Sequence, residues 1–439
     1  MKTPSRNFII FADIAHDSNN QIAVRLSSPR QNKYLIPADN LNIDNNNISF
    51  SIDKFFADYK GIYLADSSMI KGTWNQKKIH TPLIFYKADE LGRIDRPQYP
   101  FKPYGYNSDS VYYFGPDSNK ISGTLTYPFR GDKRYPAVIL INGLNKLDRD
   151  GTMYGHKPFL VISDFLTKNG FAVLRVDNRG VTGSSGEKNN STIADLAPDV
   201  IAGFNYLKSQ SIIDTNKIGL LGFKEGGVVA SIVASKRKDV DFAIFLSTPG
   251  VTGRKLLLTQ TIELQKKANI PQEEIERDYE INKKIFDIVE TIGDSAEAKL
   301  KLKKLYNNFR ANLSKKDLSR RKYSAKIFQK KIKFMITPWF KHYLMYNPQT
   351  AFKQIKCPVL ILYGKNDVEL NPGENLKSIM KALEFEGNKN VDFKIFKGLN
   401  HLFQKSDTGF PTEYSKIKET FSVKTLKYID HWINKIIEK

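Results

Sequence analysis

The chain has 439 residues, 41% of them hydrophobic and 12% aromatic, which suits one large globular domain with additions and excludes a disordered or fibrous protein. Lys and Arg outnumber Asp and Glu by 68 to 46, and the formal charge of +22 invites a polyanionic partner, nucleic acid or an anionic surface, against the plainer reading of lysine-filled solvated faces. A single cysteine, Cys357, excludes an internal disulfide and reads as a small buried hydrophobe at the start of a strand.

At the N-terminus, Phe8–Ala12 is too short an apolar run for a signal peptide and is closed by Asp13. No later run approaches a membrane span, so the expected compartment is the cytoplasm. Residues 1–115 read as a β-rich domain and linker. Short apolar or alternating runs at Asn7–Ala12, Gln21–Leu26, Ile48–Ile52, Gly61–Leu64, Pro82–Tyr86 and Val111–Phe114 lie between Asn, Asp, Ser and Gly clusters. A turn or two is expected around Asp53–Tyr59. Gly72-Thr-Trp74 suggests a small aromatic-capped sheet, and the prolines of Pro97–Tyr106 bar a helix there.

From residue 116 the texture changes to alternation. Ile121–Tyr127, Ala137–Ile141, Phe171–Val176, Phe242–Leu246, Val359–Tyr363 and Val391–Ile395 read as strands. Pro158–Asn169, Thr192–Gln210, Asn371–Leu383 and Tyr414–Ile437 read as helices, with Ser191 or Thr192 as a cap. The strands are apolar throughout rather than at every second residue. That pattern predicts an α/β fold: a doubly wound, mostly parallel sheet covered on both faces. The alternation is interrupted at 253–348 by Leu256–Ala268, Gln272–Ile292, Ala296–Leu313 and Ser324–Met335, all helical by period. This insertion reads as a cap over the carboxyl ends of the strands. Between Lys299 and Lys341 it holds fifteen Lys or Arg residues against one acid, Asp317. The core is thus expected in two parts, 116–252 and 349–439.

The chemistry concentrates in Lys217-Ile-Gly-Leu-Leu-Gly-Phe-Lys-Glu-Gly-Gly-Val-Val-Ala-Ser231, a buried strand, a tight turn and a helix. This is the layout of the nucleophile elbow, Gly-x-Ser-x-Gly, but Gly222-Phe-Lys-Glu-Gly226 carries Lys224 where the serine belongs. Asp367 and His401 each fall in a loop just after a strand, and the order Lys224, Asp367, His401 is the nucleophile–acid–histidine order of such sites. Leu144 and Glu225 are the oxyanion-hole candidates by their backbone N–H groups. Gly143, Arg149, Asp150, His156, Asp177 and Arg179 are supporting candidates, the charged four as polar pins under the oxyanion loop. Gly180–Gly186 lacks the Gly-Lys-Ser/Thr ending of a phosphate loop. No Cys/His cluster has metal spacing, and no cofactor is implied.

Taken together, Pro136–Gly143, Asp148–Asp150, Gly155–Phe159, Val173–Gly180, Lys217–Val228, Tyr363–Asp367 and Leu399–Gln404 resemble the α/β-hydrolase superfamily, in particular a bacterial branch of prolyl-oligopeptidase-like and serine aminopeptidase-like esterases. Gly72–Trp74 matches an N-terminal motif of that branch. The resemblance implies an ester, acyl or peptide-like small-molecule ligand. The branch's elbow reads Gly-His-Ser-Glu-Gly-Gly and its oxyanion loop Gly-Ser-Gly; here the corresponding residues are Phe223, Lys224 and Gly143-Leu-Asn145. An acylated amine is an amide, which does not turn over, so a serine-type cycle is excluded. Three readings remain: a retired site plugged by Lys224, a hydrolase in which His401 activates water, and a polyanion-binding cap. An ion pair between Lys224 and Asp367 is expected, with opposite charges holding the ammonium ionised.

Overall fold

The computed structural model describes residues 2–3, 6–7, 10–16, 22–28, 32–67, 69–77, 79–86, 96–100, 104–129, 134–143, 147–186, 191–318 and 323–438. These form two compact units, Met1–Asp95 and Arg96–Lys439. The first is all antiparallel β. Beside the short pair Lys2–Thr3 and Arg6–Asn7 it has a three-stranded sheet (Phe11–His16, Ile22–Ser28, Asn32–Pro37). A five-stranded meander follows (Asp39–Asp44, Asn47–Ile52, Ala57–Leu64, Met69–Gln76, Ile79–Tyr86). Val24, Leu26, Phe50, Ile52, Tyr59, Trp74 and Leu83 make its core. The turn expected around Asp53–Tyr59 is a single 3-10 turn, Asp53–Phe55, before the strand resumes. Of the run Asn7–Ala12, residues 8 and 9 lie outside the described residues.

The second unit is built on one eight-stranded sheet. Its strands are β1 (Tyr106–Phe114), β2 (Lys120–Pro128), β3 (Tyr135–Ile141), β4 (Ala172–Val176), β5 (Ile213–Phe223), β6 (Phe242–Leu246), β7 (Val359–Gly364) and β8 (Val391–Phe396). The spatial order is β1-β2-β4-β3-β5-β6-β7-β8. β1 and β2 run antiparallel to their neighbours, and every pairing from β4 to β8 is parallel. β1 departs from the expectation that Val111–Phe114 belongs to the N-terminal β-rich region. Instead it pairs with β2 along its whole length, so the boundary between compact units falls before Arg96 rather than at 115.

Helices cover both faces. On one lie α2 (Ile193–Ser209), α3 (Glu225–Lys236), α10 (Gln349–Phe352) and α11 (Pro372–Phe385), packed around Phe204, Val229, Phe352 and Ile379. On the other lie α1 (Pro158–Lys168) and α13 (Val423–Ile437), packed around Phe159, Ile162, Ile429 and Trp432. This double cover is why β5, β6 and β7 are apolar at successive positions. Between β6 and β7 the helices α4 (Gly253–Lys267), α5 (Gln272–Thr291), α6 (Ser295–Ala311), α7 (Lys315–Leu318), α8 (Ala325–Met335) and α9 (Pro338–Met345) make the cap. Asp294, Ser324 and Thr337 start three of them by accepting from Glu297 N, Ile327 N and Phe340 N. The cap encloses its own core, including Phe286, Leu302, Tyr306, Phe328, Ile332 and Phe340. The short α12 (Pro411–Tyr414) lies between β8 and α13.

Candidate active site

The elbow lies where β5 meets α3. Lys224 has φ 55° and ψ −126°, a strained conformation that costs an L-residue about 1–3 kcal/mol and persists only when its surroundings enforce it. They do so here: Lys224 N donates to Leu246 O at 3.0 Å, and Gly227 N donates to Lys224 O at 3.0 Å. The glycines are required by close approach. A Cβ on Gly222 would sit 2.4 Å from Gly226 O, and one on Gly226 would sit 2.1 Å from Ile141 O.

Asp367 and His401 are brought together. His401 Nδ1 and Asp367 Oδ2 are 2.6 Å apart, and His401 is fully buried. The other carboxylate oxygen of Asp367 accepts from Glu369 N at 3.0 Å and Leu370 N at 2.9 Å, which fixes the loop after β7. The histidine loop is held by Asn400, whose Oδ1 accepts from Leu402 N and Gln404 N, each at 2.9 Å. With Nδ1–H donated to the carboxylate, Nε2 is an acceptor, and it has no hydrogen-bond partner among the described residues. The Phe223 ring lies beside it, with centroids 5.5 Å apart.

The expected Lys224–Asp367 ion pair does not form. Both Asp367 oxygens are already engaged, and Lys224 Nζ pairs instead with Glu369 Oε2 at 3.0 Å. Glu369 Oε1 in turn accepts from the Tyr414 hydroxyl at 2.9 Å. Burial pulls the Lys224 pKa down, but Glu369 and Glu225 outweigh it, and the net shift is upward, so the group stays an ammonium. Burial also works against the Glu369 carboxylate, yet His401, Lys224 and the Tyr414 hydroxyl bring it down to about 2. Burial and the Glu369 charge push the Tyr414 hydroxyl up. The sequence reading missed Glu369 and Tyr414. Glu369 stands two residues past the acid in Asp367-Val-Glu369, and a second acid so near the expected partner of Lys224 was the available signal.

Of the oxyanion candidates, Leu144 lies outside the described residues. Gly143 and Glu225 are adjacent: a Cβ built on Gly143 would meet Glu225 Oε2 at 2.8 Å and Glu225 N at 3.7 Å. Tyr343 on α9 is buried beside the Glu225 carboxylate, and burial together with that charge pushes its hydroxyl well above its ordinary value. Asn178 Nδ2 donates to Gly143 O at 2.8 Å.

The charged supporting residues fall into three ion-paired groups. Arg149 grips the buried Asp177 through Nη2 at 2.6 Å and Nε at 3.2 Å. Asp150 pairs with Arg175 and, at 3.1 Å, with Lys157. Arg179 holds Asp199 and, at 2.8 Å, Asp117. His156 is buried 3.1 Å from Thr420 Oγ1 and 2.8 Å from both Tyr414 O and Gln404 Nε2, joining its loop to the histidine loop. Gly180–Gly186 is a structural loop: Ser122 N donates to Ser184 Oγ, which donates to Asp177 O. Burial pushes the Cys357 thiol up to about 12, which suits a packing role. Among the described residues no group of His, Cys, Asp or Glu could hold a metal ion.

The family described as serine aminopeptidase, S33, matches residues 159–405. An Escherichia coli protein described as an uncharacterized 31.7 kDa protein in the traX-finO intergenic region is 23% identical over 273 residues, 60% of this chain and 85% of its own. Esterase EstD of Thermotoga maritima is 22% identical over 318 residues, 72% of this chain and 66% of its own. Among solved structures, the Pyrococcus furiosus esterase Pf2001 aligns with a TM-score of 0.45 at 16% identity, over 75% of this chain and 93% of its own. DcsB, in complex with a substrate analogue, aligns with a TM-score of 0.47 at 17% identity, over 76% of this chain and all of its own. The family match spans more than half of the chain, across the elbow, the acid loop and the histidine loop, and the chain belongs to the serine aminopeptidase S33 family of α/β hydrolases.

Proposed function

We propose that this protein is a hydrolase-fold binding protein whose serine site has been closed, and that it holds a small ester, acyl or peptide-like ligand without turning it over. The observation that carries this reading is the 3.0 Å pair between Lys224 Nζ and Glu369 Oε2. An ammonium has no lone pair for attack on a carbonyl, and opposite charge keeps it protonated. If acylation did occur, the product would be a stable amide. The esterase relative supports the ligand class.

Labelling with a fluorophosphonate tests the reading. The wild type stays unlabelled, Lys224→Ser becomes labelled, and Lys224→Ser/His401→Ala does not. Labelling of the wild type at any residue near His401 contradicts it.

A second reading has its own support. His401 is oriented by Asp367, and its Nε2 is an acceptor with no partner among the described residues. Such an imidazole could take a proton from water attacking a bound ester, with the Glu225 N–H facing the oxyanion. This reading requires wild-type turnover that His401→Ala abolishes and Lys224→Met spares.

A further inference from the structure

Outside the elbow, the strongest charge imbalance of the second unit lies on the cap. Inward positions on α6 are Ala298, Leu302 and Tyr306, and on α8 they are Phe328 and Ile332. Two contacts set the helices antiparallel. The Tyr306 and Phe328 rings stack with centroids 3.5 Å apart, and Ser295 Oγ donates to Ile336 O at 3.4 Å. Residues three and four apart share a helix face. The outward face of α6 therefore carries Leu300, Lys303 and Lys304, and that of α8 carries Lys326, Lys330, Lys333 and Phe334, all exposed. The antiparallel register puts Leu300 at the same end as Phe334; they are 67% and 50% exposed. Lys301 pairs with Glu297 at 2.8 Å. Lys303, Lys304, Lys326, Lys330 and Lys333 have no carboxylate partner among the described residues.

Repulsion of other basic molecules would account for the lysines but not for the exposed Leu300, nor for the open half of the Phe334 ring, whose other contacts are Trp339 and Phe340 at 5.2 and 5.1 Å. Nucleic acid would use the lysines, and an aromatic ring could stack on a base, but leucine has no role in that chemistry. An anionic bilayer takes both kinds of side chain, phosphates for the ammonium groups and the interfacial layer for the apolar ones.

We propose that the outward face of α6 and α8 docks the cap on an anionic membrane surface, with the lysines on lipid phosphates and Leu300 and Phe334 entering the interface. Among the described residues no helix is long and apolar enough to cross a membrane, and this attachment needs none. The inference stands apart from the reading of the elbow.

Co-sedimentation of the full chain with phosphatidylcholine vesicles, alone or mixed with phosphatidylglycerol, tests it. The wild type binds the anionic vesicles at least about tenfold more tightly than the neutral ones, and salt weakens the binding. Charge reversal at Lys303, Lys304, Lys330 and Lys333 abolishes the preference. Reversal of as many exposed lysines elsewhere, Lys381, Lys424, Lys427 and Lys435, leaves most of it. Leu300→Ser/Phe334→Ser weakens vesicle binding several-fold and leaves retention on heparin unchanged. Circular dichroism checks each fold, and Lys→Gln at the same four cap positions replaces any reversal that unfolds. Equal binding to neutral vesicles overturns the proposal, as does equal loss from the control set. Vesicle binding indifferent to Leu300 and Phe334, with tight binding of a DNA duplex through the same lysines, assigns the face to nucleic acid instead.

Discussion

Lys224 and Glu369 are only partly exposed, and each is the other's ion-pair partner, so removing one strands the other. Loss of one member of a buried pair typically costs about 3–5 kcal/mol. Glu369→Gln and Lys224→Met are each expected to lower stability on that scale. The double replacement Lys224→Met/Glu369→Leu is expected to cost less than either single change in urea unfolding. The pair also has a pH signature. Glu369 is depressed from an ordinary 4.5 to about 2, so its contribution is present above 4.5 and is lost as pH falls through about 2. Lys224 is raised above 10.5, so its share is present below 10.5 and is lost as pH rises through the higher folded value. The stability gap between wild type and Glu369→Gln should therefore narrow as pH falls from 4.5 toward 2, measured by denaturant unfolding. A gap that stays constant over that range removes the pair from the account.

At the scale of the element, the elbow tolerates nothing larger than hydrogen at Gly226, because Ile141 O occupies the space a methyl needs. Gly226→Ala is expected to destabilise by about 1–3 kcal/mol or more, since backbone rather than a flexible side chain must move. Tyr343 on α9 is buried beside the elbow residue Glu225, so Tyr343→Ala is expected to cost about 3–5 kcal/mol and to speed proteolysis within the cap. Unchanged proteolysis would show that this contact does not hold the cap. The strand before Asp367 was legible in the sequence because both faces of the sheet are covered there, which makes β7 an unbroken apolar run; β8, before His401, is an exposed edge strand whose apolar residues alternate with polar ones. Lys224 was legible because the glycines around it are dictated by close packing. Its partner was not. Glu369 reaches the ammonium only because the Asp367 carboxylate turns the loop by accepting from the amides of residues 369 and 370, a conformation no periodicity encodes. β1 was misgrouped for a similar reason. Its exposed edge gives it the short alternating pattern of the N-terminal strands, and its membership of the large sheet rests on pairing with β2.

For the whole molecule, the two compact units have separate cores, one around Tyr59 and Trp74 and the other spread over both faces of the eight-stranded sheet. A chain shortened to residues 96–439 is expected to unfold cooperatively on heating, followed by circular dichroism. A broad, non-cooperative melt would show that the second unit depends on the first. The family membership accounts for the sheet order, while the proposed loss of turnover rests on Lys224, one of several residues that depart from the family's pattern. Turnover of p-nitrophenyl butyrate by the wild type and by His401→Ala tests this most directly. The account predicts rates for both proteins indistinguishable from the uncatalysed reaction; saturable wild-type hydrolysis that disappears in His401→Ala would contradict it.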